Sequence, residues 1–172
     1  YLKDAGCPDS GAVYVFDRLE GGADNWGEQT ILWAYDRYAG QHLGYAVAVD
    51  ATTVIAGAPG DDDDGDDSGA AYGFVYSAST WSQQQKLTGS ATTEGDALGS
   101  SVAIDGDDAI VGAPANRALG VEPGAAYLFE RCETCWAERV KLPVSEPQSL
   151  ESYGLSVSVS GDFAVVGAPG HN

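Results

Sequence analysis

Residues 100–104 alternate: Ser100, Val102 and Ile104 fall on one side, Ser101 and Ala103 on the other. That period of two predicts a half-buried strand. Asp105-Gly106-Asp107 follows, and Asp-Gly tolerates the positive φ of a hairpin turn. Ala109 to Val111 is apolar without alternation, as expected of a strand covered on both faces. Gly112-Ala113-Pro114 ends it, because proline has no N–H to give to a ladder. Gly124 to Phe129 predicts a third strand, with Tyr127 and Phe129 on one face, and Trp136 to Leu142 a fourth. The same order returns elsewhere. Strand one recurs at Tyr45–Val49 and Leu155–Val159, and strand two at Val54–Ala56 and Ala164–Val166. Strand three recurs at Ala12–Phe16 and Ala70–Phe74, and strand four starts at Trp26 and Trp81. No segment sustains a 3.6-residue period, so no long helix is predicted.

The recurrence has a fixed step. Gly-Ala-Pro begins at Gly57, Gly112 and Gly167. A glycine precedes strand one at Gly44, Gly99 and Gly154, and a tryptophan stands at Trp26, Trp81 and Trp136, so all three series keep the same spacing. A period of this size, about 55 residues, marks a propeller blade or array element. Four short antiparallel strands per repeat fit a blade. One face of strand one is always small: Ala46 and Ala48, Ser101 and Ala103, Ser156 and Ser158. Small residues there would let the neighbouring sheet come close. The recurring tryptophans are expected as core anchors. The polar connectors between blades match in length (Thr88–Leu98 is one), which argues for a constant step between blades rather than a flexible linker.

The run Leu98-Gly99-x-Ser101-Val102-Ala103-Ile104-Asp105-Gly106-Asp107-x-Ala109-Ile110-Val111-Gly112-Ala113-Pro114, followed by Gly124-Ala125-Ala126-Tyr127-x-Phe129 and Trp136, resembles the FG-GAP repeat, in its extracellular microbial branch more than in integrin α subunits. The resemblance covers nearly the whole chain, three times over. It implies a β-propeller-type blade on an extracellular or cell-surface protein, used for binding or architecture, with no particular ligand. Integrin-type repeats carry a D-x-D-x-D-G calcium loop between the first two strands. Here that turn is short, as in Asp50-Ala51-Thr52 and Ser160-Gly161-Asp162, so that calcium site is not carried over.

The expected fold is therefore all-β, with three four-stranded antiparallel propeller-like blades of about 55 residues each. They form a single repeat domain, 1–172. Whole blades span 44–88 and 99–143, and the halves 1–33 and 153–172 share one blade between the two termini. A lone half-blade exposes a long pairing edge, which proteins avoid. The halves can meet within one chain, locking a ring, or between chains, head to tail. A heterologous contact that does not close makes a filament. A third reading is an excerpt of a longer propeller, since propellers have about 4–8 blades. The absence of any Met also fits a processed chain or an excerpt. The residues expected at the shared blade are Gly11, Tyr14, Phe16 and Trp26 on one side and Gly154, Val157, Val165 and Pro169 on the other.

Charge narrows the partners. With 26 Asp+Glu against 8 Lys+Arg, the net charge is −18. That argues against nucleic acid and anionic membranes, and no apolar stretch approaches the roughly 20 residues of a spanning helix. Neither a nucleic-acid partner nor membrane insertion is expected. The partner is instead self, as a homo-oligomer or filament, or an extracellular protein or glycan.

The densest chemistry is Asp61-Asp62-Asp63-Asp64-Gly65-Asp66-Asp67, in the loop between strands two and three. Six carboxylates so close repel one another unless screened. Oxygen ligands around a glycine turn suit Ca²⁺, so these six aspartates are a candidate Ca²⁺ site, set against a solvated acidic loop. The EF-hand spacing is absent, and the equivalent loop 115–123 holds only Glu122. Cys132-Glu-Thr-Cys135 suits a local disulfide, leaving Cys7 odd. The histidines, His42 and His171, lie apart in sequence. Neither a G-x-S-x-G elbow nor a phosphate loop occurs. The expectation is a non-enzymatic structural or adhesive protein, with a calcium-dependent integrin-like binding propeller as the alternative. Trp33, Tyr35 and Tyr38 do not recur and are read either as local packing or as a partner or glycan contact.

Overall fold

The computed structural model describes residues 7–115, 123–145 and 152–170. Glu122 and His171 lie outside the described residues. The described residues form strands and turns without a helix, and none of their segments is a helix long and apolar enough to cross a membrane.

Twelve strands are laid out in chain order. They are β1 (Val13–Asp17), β2 (Gly27–Leu32), β3 (Val47–Asp50), β4 (Thr53–Ala58), β5 (Ala70–Ser77), β6 (Thr80–Leu87), β7 (Ser101–Asp105), β8 (Asp108–Ala113), β9 (Ala125–Arg131), β10 (Trp136–Lys141), β11 (Ser156–Ser160) and β12 (Phe163–Gly167). β3-β4-β5-β6 and β7-β8-β9-β10 are complete four-stranded antiparallel sheets, each meandering in sequence order. The expected hairpin turns are in place, with Gly106 at φ +59° and Ala51 at +46°.

The core lies between sheets, not within them. One cluster joins Val13, Leu32 and Leu43 to Val54, Ala56, Tyr72 and Phe74. The next joins Ile55, Ala71, Leu87 and Leu98 to Val111, Tyr127, Phe129 and Trp136. Successive residues of β4 thus feed opposite clusters, which is why the second strand of each repeat is apolar on both sides.

Each sheet meets the next in the same way. Gly11, Gly69 and Gly124 bridge to Leu43, Leu98 and Tyr153 of the following unit. Gly106 N donates to Asp50 Oδ2 (2.7 Å), and Gly161 N to Asp105 Oδ2 (2.6 Å). Trp81 Nε1 donates to Gln29 (2.8 Å), and Trp136 Nε1 to Gln84 (3.0 Å). The matched connectors have a physical reason: they are laced to the preceding loop. Gly40, His42 and Leu43 donate to Pro8, Asp9 and Ser10, and Gly95, Ala97 and Leu98 donate to Asp66, Asp67 and Ser68. The small residues of strand one serve the close approach. Ser101 is buried and donates from Oγ to Gly154 O (2.7 Å).

Two expectations are corrected. β1-β2 and β11-β12 form separate two-stranded sheets, so the termini do not share a blade within one chain. β1-β2 packs on one side of the β3–β6 sheet and β11 on the far side of the β7–β10 sheet, so two whole sheets stand between the halves. The tryptophans are also not equivalent anchors. Trp136 is buried and Trp81 half-buried, but Trp26 is 60% exposed. This position packs on the last strand of the preceding sheet, and among the described residues no sheet precedes β1-β2 to cover Trp26.

Candidate functional site

The acidic loop runs from Pro59 to Gly69, between β4 and β5. Local bonds shape it. Gly65 N donates to Asp62 O (3.1 Å), Gly69 N to Asp61 O (2.8 Å), Ser68 Oγ to Asp61 O (3.0 Å) and Asp67 N to the Asp62 carboxylate (2.8 Å). The six aspartates consequently part company. Asp61 is buried, while Asp62, Asp63, Asp64, Asp66 and Asp67 are exposed.

Asp61 turns inward onto residues that the sequence did not single out. Lys86 on β6 lies opposite Tyr72 on β5 in register. Its ammonium sits 2.7 Å from Asp61, 3.2 Å from Asp36 and 2.5 Å from Asp63. The Tyr72 hydroxyl lies 2.9 Å from Asp61 and 3.0 Å from Asp36, and Gln41 Nε2 donates to Tyr72 (2.7 Å) and to Asp61 (2.9 Å). Tyr38 takes the backbone N–H of Asp62, so this connector aromatic packs locally against the loop. Trp33 and Tyr35 remain exposed, with Arg37 over the Trp33 ring. A signal for Lys86 was present in the sequence. Lys86 and Lys141, like Tyr72 and Tyr127, are one repeat step apart, and each lysine faces its tyrosine.

Calcium binds six to eight oxygens converging at about 2.3–2.6 Å. Among the described residues, no group of three or more His, Cys, Asp or Glu is placed to hold a metal ion. The inner carboxylates engage an ammonium instead, so the donor set as arranged does not fit Ca²⁺.

Burial, reinforced by Asp61, holds the Tyr72 phenol well above its ordinary value, and burial with Asp96 raises Tyr127. Burial alone would lower the Lys86 ammonium, but its hydrogen bonds to Asp61 and Asp63 outweigh that and raise it. All three groups hold their protons more tightly when folded. The stability they contribute is complete below about pH 10, where the unfolded groups titrate, and is lost as pH rises further. The melting temperature is therefore expected to hold to about pH 9 and to fall above about pH 10. Unchanged melting at about pH 11.5 would contradict this linkage.

Beside the loop, a cleft of about 330 Å³ opens between two connectors, lined by His42, Tyr45, Gly60, Asp67, Ala97 and Ser100 among others. At the turn between β9 and β10, Cys132 and Cys135 are disulfide-bonded, with Cα atoms 5.0 Å apart, and Cys7 is a free thiol.

The second surface is the pair of half-blades. Tyr14, Phe16 and Trp26 are 48, 53 and 60% exposed. The counterparts of Tyr14 and Phe16, namely Tyr72, Phe74, Tyr127 and Phe129, are at most 2% exposed. Phe163 and Val165 on β12 are 79 and 65% exposed, whereas Ile55 and Ile110, the counterparts of Val165, are at 0%. Val157 is half-buried against Val166, and Pro169 is exposed. Gly11 and Gly154 belong to steps inside the chain: an added Cβ would lie 2.1 Å from Leu43 O and from Ala125 O respectively. The structure does not bring the two sets together within one molecule.

The family model described as FG-GAP repeat matches residues 26–76, 81–129 and 136–172, most of the chain. No curated protein matches the chain.

Proposed function

The chain belongs to the FG-GAP repeat family, whose repeats are typical of extracellular repeat and ligand-binding domains, and from that premise we propose a structural or adhesive protein whose copies join head to tail. β12 of one copy pairs with β1 of the next, and the two half-blades become one four-stranded blade. One observation carries this reading: β12 repeats the apolar sequence of β4 and β8, yet Val165 is bare where Ile55 and Ile110 are fully buried.

The repeat predicts the register. β4 pairs with β5 through Ile55↔Gly73 and Ala56↔Tyr72, and β8 with β9 through Ile110↔Leu128 and Val111↔Tyr127. Transferring either pairing places Val165 opposite Val15 and Val166 opposite Tyr14 of the next copy. Trp26 of that copy would then pack on β10, with Arg139 standing where Gln29 and Gln84 stand at the earlier steps. The strand pairings in this contact have counterparts inside the chain; Arg139 differs, because a guanidinium has no acceptor for the Trp26 Nε1–H that the two glutamines take at the earlier steps.

A cysteine pair tests the register. In a Cys7→Ser background, a chain carrying both Val15→Cys and Val165→Cys should form a ladder of disulfide-linked multimers on non-reducing gels. Either cysteine alone should form none. Absence of a ladder, or an equal ladder with the pair shifted to Phe16→Cys and Val165→Cys, would overturn the pairing.

A further inference from the structure

We infer that Lys86 is the built-in cation of the acidic loop, standing where a metal ion would otherwise be needed to gather its carboxylates. Three carboxylates from two segments meet its ammonium: Asp36 from the connector before β3, and Asp61 and Asp63 from the loop itself. The side chain of Asp61 is only 1% exposed and that of Lys86 16%. A buried carboxylate is tolerated only when paired and hydrogen-bonded. Asp61 meets that condition through Lys86, Tyr72 and Gln41, all from this chain.

The lysine is held as firmly as the carboxylates. Lys86 extends from β6, its Nζ 5.6 Å from the centre of the Tyr72 ring, so the strand ladder fixes the height of the charge relative to the loop. Its separation from Asp61, 2.7 Å, is that of a charge-assisted N–H···O contact. A divalent cation could enter among these carboxylates only by displacing the ammonium. The consequence is a loop whose order is independent of metal, with Asp62, Asp64, Asp66 and Asp67 left facing solvent.

The test begins with the native chain. Its melting temperature should be the same in excess EDTA and in millimolar CaCl₂, and Tb³⁺ should give no saturable emission sensitised by the nearby tyrosines. A chelator-induced drop, or saturable one-to-one Tb³⁺ binding, would overturn the inference whatever any variant does. Lys86→Gln then leaves Asp61 buried without its cation. Breaking a buried pair in this way should lower the melting temperature by about 6–20 °C. Ca²⁺ should recover part of that loss, and Tb³⁺ should now bind. A Lys86→Gln chain that melts like the native one and ignores Ca²⁺ would count equally against the role assigned to Lys86.

Discussion

Gly112→Ala is expected to destabilise the protein by about 3 kcal/mol or more, the upper end for overpacking a tight contact. An added Cβ would lie 2.0 Å from Gly154 O, and at the equivalent Gly57 it would lie 1.8 Å from Gly99 O. Neither glycine has a left-handed φ, so backbone freedom is not the reason for glycine here. The reason is contact: the carbonyl before one inner strand rests on the Cα of the preceding sheet. That carbonyl belongs to the backbone and cannot rotate away, so the β7–β10 sheet and the β11–β12 pair packed against it must part. In a domain of this length the loss corresponds to about 6–12 °C in melting temperature. Thermal unfolding followed by near-UV circular dichroism reads it directly. A shift under about 2 °C would show that the blade step is not set by this contact.

Gly167→Ala should separate assembly from folding. Gly167 is the third member of the same series, but there the three atoms nearest the added Cβ all belong to Ser156 of its own sheet: Oγ at 2.3 Å, then Cβ and O at 3.6 Å. Ser156 is exposed and its hydroxyl can turn aside. At dilutions where both proteins are monomeric, the variant should melt within about 2 °C of the parent, as exposed substitutions usually do. In a head-to-tail assembly, Gly44 O of the next copy would reach Gly167 as Gly99 O reaches Gly57 and Gly154 O reaches Gly112. The Cβ would then strike a backbone oxygen, and multimers should disappear. Sedimentation velocity of the two proteins at equal concentration decides the matter. A Gly167→Ala chain that assembles like its parent would remove the repeat contact from the interface.

The strands were legible because their signals are local. Alternation at Ser101–Asp105, the apolar run at Ala109–Val111 and the Gly-Ala-Pro stop need no partner to be read. What was not legible depends on neighbours. Trp26, Trp81 and Trp136 are identical in spacing, and only the presence or absence of a preceding sheet separates 60% exposure from 3%. The arrangement of the acidic loop was not legible for the same reason. Its carboxylates are adjacent in sequence, but the ammonium that Asp61 and Asp63 meet sits on β6. A lysine after three glutamines on a strand reads as a solvated edge, and the register of β6 against β5 is what turns it under the loop.

Head-to-tail completion makes a demand on mass. Light scattering coupled to size exclusion, run over a hundredfold range of concentration, should show species at multiples of 17.8 kDa that lengthen with concentration, because each added copy leaves β12 open at one end and β1 at the other. A single sharp species at 17.8 kDa across the whole range would contradict the account.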